Sequence, residues 1–156
     1  MDTLTLRLAD ATDAPAISAL ICTVAPYLTL QPAGKGVGQF LQGMAAPAIA
    51  RHISESGCHY QLGLVNSVLV GVIAVSENRH VIHLFVAPAF HHRGVARRLW
   101  QAAKAAAIEA GNTQGFTVNS SPYARPMYER FGFVVTGPTV AEHGIACVPM
   151  HLPAQR

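Results

Sequence analysis

The stretch His80–Lys104, HVIHLFVAPAFHHRGVARRLWQAAK, constrains this chain more than any other. Its first seven residues are rich in β-branched and aromatic side chains, and Pro88 closes the run because proline cannot continue a ladder. From Val95 onward the apolar residues Val95, Leu99, Ala103 and Ala106 recur at helical spacing, and Gly111 supplies a stop. A strand that passes through a short loop into a helix leaves backbone N–H groups and the positive end of a dipole at the loop. Here that loop is His91-His92-Arg93-Gly94-Val95-Ala96. Gly94 lets a ligand approach the backbone, and Ala96 keeps the first helical turn uncluttered. Arg93, Arg97, Arg98 and Lys104 gather four of the chain's eleven basic residues within twelve positions. The expectation is a site for a polyanion such as a phosphate.

The strand end Val86-Ala87-Pro88 followed by His91-x-x-Gly94-x-Ala96 resembles the acetyl-CoA signature of the GNAT superfamily of N-acyltransferases. That signature reads Q/R-x-x-G-x-G/A after V-x-P, and His91 stands in its Gln/Arg slot. A second stretch, Asn119–Phe133, resembles the same superfamily. Its polar strand end, its Ala three positions on and its Tyr seven positions on fall at Ser121, Ala124 and Tyr128, and Gly132-Phe133 completes a Y-x-x-x-G-F segment. Ser121 replaces the usual Asn, with Asn119 two residues upstream. His143-Gly144-Ile145 followed by Pro149-Met150 is similar to the closing sequence of one branch of these enzymes. The resemblance extends from about Val68 to Met150 and is poor over residues 25–60.

A chain of 156 residues is expected to form one domain with a real core. With 51% hydrophobic and 12% charged residues it is globular and not disordered. A net charge of +3, without basic runs interleaved with aromatics, argues against a nucleic-acid partner. No apolar run reaches the roughly 18 residues of a spanning helix and the N-terminus lacks a signal pattern, so a cytoplasmic protein without a membrane partner is expected. Cys22, Cys58 and Cys147 contain no C-x-x-C pair and are expected to be small buried hydrophobes in a reducing compartment, with no metal site.

Along the chain, Leu4–Leu8 reads as a strand. A helix follows, capped by Thr12 or Asp13, with Pro15 in its first turn and Ile17, Leu20, Ile21 and Val24 on one face. The glycines at 34, 36 and 38 lack a following GK[ST] and read as a connection. A helix is expected over about Gln39–Ser54, weakened or split by Gly43 and Pro47. Tyr60–Val65 and Val68–Val75 form a hairpin about Asn66-Ser67, and Gly71 hints at a bulge or a close backbone approach. Glu77-Asn78-Arg79 turns into the central strand His80–Val86. Gly115–Asn119 is a strand, Tyr123–Phe131 a short helix, and Phe133–Thr136 a strand that Ile145–Leu152 pairs across the loop GPTVAEHG. This order implies a mixed α/β sheet with helices on both faces. The resemblance adds that it is GNAT-like, a mixed and mostly antiparallel sheet.

The resemblance also implies the site. Backbone groups of Leu84, Phe85 and Val86 would grip pantetheine like an added strand, with an N–H near the thioester oxygen. His91, His92, Arg93, Gly94, Val95, Ala96 and Arg97 would hold the diphosphate of acetyl-CoA, the co-substrate, with Asn119 or Ser121 contacting the pantetheine arm. Tyr128 is the expected general acid, a phenol able to protonate the departing thiolate. An ammonium acceptor must first lose a proton. His83 is the foremost candidate base, although its alternation with Leu84 leaves its sheet face open. Glu77, His80 and Glu142 are weaker candidates. His52, His59 and His151 show no ligand spacing and read as surface or satisfied core residues.

The expected activity is transfer of an acetyl group to a small amine, an amino acid or a peptide, the acceptor entering between residues 25–60 and the His143 loop. The scarcity of acidic residues disfavours polyamines. A non-catalytic acyl-CoA-binding module with the same fold is the alternative. A nucleotide switch lacks the phosphate-loop lysine and a metal carboxylate. Open sheet edges leave room for a homodimer.

Overall fold

The computed structural model describes residues 3–24, 44–55, 57–142 and 145–154, with the backbone alone at Glu142 and Ile145. Its elements are β1 (Leu4–Leu8), α1 (Ala14–Val24), α2 (Ala46–Ser54), β2 (Cys58–Val65), β3 (Val68–Ser76), β4 (His80–Val86), α3 (Val95–Glu109), β5 (Phe116–Ser120), α4 (Arg125–Arg130), β6 (Val134–Val135), β7 (Val140–Glu142) and β8 (Ile145–Leu152). The strands form one sheet in the order β1-β2-β3-β4-β5-β8-β6, with β7 also paired to β8. Every pairing is antiparallel except β4 with β5. This is the expected mixed, mostly antiparallel sheet.

Each face of the sheet buries its own apolar layer. On one face, Ile17 and Ile21 of α1 and Ile49 of α2 pack on Tyr60, Leu62, Val72 and Ala74. On the other, Leu99, Trp100, Ala103 and Ala107 of α3, with Tyr128 of α4, pack on Ile73, Val75, Val81, Phe116 and Met150. A fully buried Ile or Leu contributes about 1.5–3 kcal/mol, so these two layers are the main source of stability. The buried stripe of α3 runs through Trp100 and Ala107 and leaves Ala106 only half-buried.

Local chemistry corrects several expected boundaries. Asp10, and not Thr12 or Asp13, is the cap. Its carboxylate accepts the Thr12 N–H while Asp13 returns a bond to the Asp10 N–H, a capping box over a 3-10 turn that runs into α1. Helix α2 starts at Ala46, and Pro47 occupies its first turn, where its missing N–H costs nothing; Pro47 opens the helix instead of splitting it. Residues 39–43 of the expected helix and the glycines at 34, 36 and 38 lie outside the described residues. The expected strand at Gly115 begins at Phe116, the helix at Tyr123 begins at Arg125, and the strand Phe133–Thr136 contracts to Val134–Val135. Within GPTVAEHG, read as loop, Val140–Glu142 pairs with β8.

The cysteines are less buried than expected: Cys22 is exposed, and Cys58 and Cys147 are intermediate. Asn66 and Ser67 both have positive φ, which suits a two-residue hairpin. Gly71 carries both expected features. Val70 is the extra residue of a bulge against β2, and a Cβ on Gly71 would lie 2.9 Å from Leu99 Cδ1. The glycine is what lets α3 lie so close to the sheet.

Candidate active site

β4 and β5 run parallel but pair only at His80↔Thr117 and Val81↔Val118. Beyond that point β4 carries an extra residue, Ile82, since Ala74 faces His83 while Val75 faces Val81. A bulge adds twist and bends its strand, and here the two strands part. The cleft between them has a volume of about 1250 Å³ and is lined by β4, β5, α3, α4 and the ends of α1 and β8. The bulge also resets the side-chain alternation. Val81, Leu84 and Val86 pack with the α3 layer, whereas Ile82, His83 and Phe85 face the α1 layer. Just past the end of β4, the Ala87 N–H bonds to Val70 O of β3. By alternation the polar backbone groups of Leu84 and Val86 face the cleft, while those of Phe85 face β3. His91 Nε2 lies 2.7 Å from the Val86 carbonyl, so its imidazole ties the loop to the end of β4.

The loop then delivers α3. Gly94 is its N-cap in the left-handed region (φ 79°), and the first bond of the helix runs from the Arg98 N–H to Gly94 O at 3.1 Å. Among the described residues no acceptor meets the N–H groups of Val95, Ala96 and Arg97. Among the described residues nothing lies within 4 Å of a Cβ built on Gly94, so no described side chain covers the space in front of these donors. The far end of α3 finishes in a Schellman motif. Gly111 N–H bonds to Ile108 O and Asn112 N–H to Ala107 O, with Gly111 at φ 112°.

The Tyr128 segment follows the same physics. Gly132 N–H bonds to Glu129 O and Phe133 N–H to Tyr128 O, each at 3.0 Å, with Gly132 at φ 103°. Phe133 then folds back against the Tyr128 ring at 5.4 Å, the hydrophobic contact that accompanies this helix end. The Y-x-x-x-G-F spacing is thus a device for locking one phenol in place. Tyr128 lines the cleft beside Leu84 and Val86, and its hydroxyl makes no hydrogen bond to a described residue. Burial pushes its pKa up, so it is a protonated donor at neutral pH.

On the other face, His83 is 3% exposed, stacked on Phe85 at 5.6 Å and edge-on to Tyr60 at 5.9 Å. Among the described residues its Nε2 meets no hydrogen-bond partner, nor does the Tyr60 hydroxyl or His52 Nδ1. Burial, and secondarily the charge of nearby His52, lowers the His83 pKa to about 4. The Tyr60 phenol is pushed up, chiefly by burial. His59 Nε2 is likewise buried without a partner among the described residues, so His52 and His59 are not the satisfied residues expected within the described structure.

The structure sorts the remaining candidates. Leu84, Phe85, Val86, His91, His92, Gly94, Val95, Ala96, Arg97, Asn119, Ser121, Tyr128 and His83 all line the cleft. Arg93 instead lies over the Phe90 ring at 5.4 Å, and Arg98 reaches the Leu4 carbonyl at 3.2 Å. Of the four clustered cations only Arg97 and Lys104 face the cleft, joined by Arg130 from α4, which sequence spacing did not single out. Ser121 Oγ accepts the Ala124 N–H at 3.1 Å, a turn before α4, while Asn119 is exposed. Glu77 lies in the β3–β4 turn and His80 at the far end of β4, bonded to Thr117 Oγ1, so neither borders the cleft. The Glu142 side chain and the His143 loop lie outside the described residues.

A family model described as "Acetyltransferase (GNAT) domain" matches residues 29–154. The chain belongs to this GNAT acetyltransferase family. It is an acyltransferase. The match extends well N-terminal of the Val68–Met150 region in which motifs were legible. Several solved structures share the GNAT fold. A GCN5-related N-acetyltransferase from Rhodopseudomonas palustris is 23% identical, with a TM-score of 0.79 over 98% of this chain and 97% of that one. The PaiA N-acetyltransferase of Thermoplasma acidophilum, solved in complex with coenzyme A, is 13% identical, with a TM-score of 0.79 over 97% and 99%. A variant of the spermidine N-acetyltransferase of Vibrio cholerae is 18% identical, with a TM-score of 0.67 over 96% and 93%. No curated protein matches the sequence. No helix among the described residues is long and apolar enough to cross a membrane.

Proposed function

We propose that this GNAT protein moves an acetyl group from acetyl-CoA to an amine by direct attack of the amine on the thioester. One observation carries the reading. The free edge of β4, the open N-terminus of α3 and the Tyr128 side chain border one cleft. The N–H groups of Val95, Ala96 and Arg97 offer three donors and a dipole to the diphosphate. Gly94 keeps that approach clear, and Arg97, Lys104 and Arg130 add a positive field. Leu84 offers its N–H and C=O, and Val86 its N–H, to an extended pantetheine, a strand-addition mode, while the Val86 carbonyl is held by His91. Asn119, exposed at the end of β5, supplies the polar contact to that arm, since Ser121 is engaged in its own turn.

When the amine attacks, negative charge gathers on the thioester oxygen, and a β4 N–H of fixed orientation stabilises it. The thiolate then leaves and takes its proton from Tyr128, whose buried phenol is fully protonated at pH 7. His83 faces the opposite side of β4. At a pKa of about 4 it is too weak a base to hold an ammonium proton, and its uncharged imidazole serves as a hydrogen-bond acceptor for the incoming amine. Free cysteines accord with a reducing, cytoplasmic setting. The exposed Val134 and Val135 on the edge strand β6 suit a homodimer contact. No nucleic-acid partner enters this reading.

The test is calorimetric titration with acetyl-CoA, paired with thiol release across an amine panel. Uptake of acetyl-CoA with acceptor-dependent thiol release is expected. Uptake without thiol release from any acceptor would favour the non-catalytic acyl-CoA-binding module.

A further inference from the structure

The acceptor side of the cleft is chemically unlike the cofactor side. Val24, Met44, Ile82 and Phe85 form its apolar walls, with His83 the buried polar group among them. Among the described residues the titratable groups that act on or touch His83 are His52 on α2 and Tyr60 on β2, and neither is a carboxylate. The carboxylates of described side chains lie elsewhere, and the Glu142 side chain is outside the described residues. Asp13 pairs with Arg7 and caps alongside Asp10. Glu129 pairs with Arg125. Glu55 follows α2, Glu77 sits in the β3–β4 turn and Glu109 ends α3. Among the described residues lining the cleft none is acidic, and the sequence over 25–43 contains no Asp or Glu.

A cation entering such a place gives up its hydration without a counter-charge, a cost that grows steeply with burial. An unpartnered imidazole nitrogen behind an aromatic wall instead invites an N–H donor carried on a flat apolar body.

We infer that the acceptor is a weakly basic, uncharged primary amine borne on an aromatic ring, received by His83 and Phe85, and not an alkylammonium or a polyamine. The inference rests on the acetyltransferase reading above. The balance needs no external base for the ground state. Nitrogen forms the new C–N bond, the C–S bond breaks with its electron pair on sulfur, and the proton shed by nitrogen matches the one sulfur receives through Tyr128. An uncharged amine and acetyl-CoA thus give an amide and a free thiol.

The experiment compares three acceptors on the full chain at saturating acetyl-CoA: a ring-bound amine (aniline), its one-carbon homologue (benzylamine) and spermidine. Acetyl-CoA uptake is checked separately by calorimetry. For a simple alkylamine only about one molecule in 2,500 is neutral at pH 7. The KM for aniline is therefore expected to lie at least about a hundredfold below that for benzylamine at pH 7, with spermidine weaker still. The benzylamine KM is expected to fall about tenfold per pH unit between pH 7 and 9 while the aniline KM stays flat. A lower KM for spermidine or benzylamine at pH 7, or a benzylamine KM that ignores pH, overturns the inference. So does acetyl-CoA uptake without turnover of aniline. Failure to take up acetyl-CoA at all would instead overturn the cofactor reading beneath it.

Discussion

The two walls of the cleft are built on different principles. The α3–α4 wall is made of backbone: a glycine-opened helix start, a bulged strand edge, and a phenol locked by a helix-end motif. The wall on the α1 side is made of side chains: a buried, uncharged His83 among apolar and aromatic residues, with polar atoms that meet no partner among the described residues. Backbone donors bind a group common to many reactions and tolerate side-chain change. Unpartnered buried polar atoms cost stability until something meets them, so the second wall is where an individual acceptor would be recognised.

This contrast can be broken by mutation and by pH. The largest effect is expected from Tyr128→Phe, which should lower kcat about 10²–10³-fold with acetyl-CoA affinity unchanged, read by steady-state kinetics and calorimetry. An unchanged kcat would remove the phenol from the chemistry.

Next comes the opposite wall. Because His83 has a folded-state pKa of about 4 against 6.5 unfolded, the unfolded chain binds the proton more readily. Stability should therefore fall as pH drops from about 6.5 toward 4, by up to ~3 kcal/mol. In urea titrations across that range, His83→Phe should flatten this slope. An unaltered slope would show that His83 is not the titrating group.

Gly71→Val sets a branched side chain against Leu99 and Val95 at the root of the first wall. It should cost about 1–3 kcal/mol in denaturation, with loss of acetyl-CoA binding following from the displaced α3. Gly94→Ala meets no side chain but holds a left-handed backbone. A cost of about 1–2 kcal/mol is expected, together with weaker acetyl-CoA binding as the new methyl intrudes before the helix donors. Unchanged binding would move the diphosphate elsewhere. Arg97→Ala is the mildest. An exposed charge should change acetyl-CoA affinity only a few-fold, and the change should vanish at high salt.

Much of the first wall was legible from residues 80–104 and 119–133, because its decisive bonds are local. A helix start, a Gly at C′ and a Phe folding back on a Tyr all join residues within about five positions, so their spacing is written in the chain. The boundaries that slipped did so for equally local reasons: Asp10 outcompeted Thr12 and Asp13 for the cap, and Pro47 fell in a first turn where it does no harm. The cation cluster was legible as charge but not as direction. Arg93 found the Phe90 ring and Arg98 the Leu4 carbonyl, a partner far away in sequence and outside the cleft lining.

By itself, then, the sequence determined the strand–loop–helix unit, the two glycine-terminated helix ends and the order of elements around them. Tertiary structure alone decided where β4 and β5 part, which face His83 takes and which cations see the cleft. The physical reason is that strand alternation fixes neighbouring side chains only relative to one another. One extra residue, Ile82, reverses the faces beyond it, and whether that residue bulges is set by the register of β3, a separate strand.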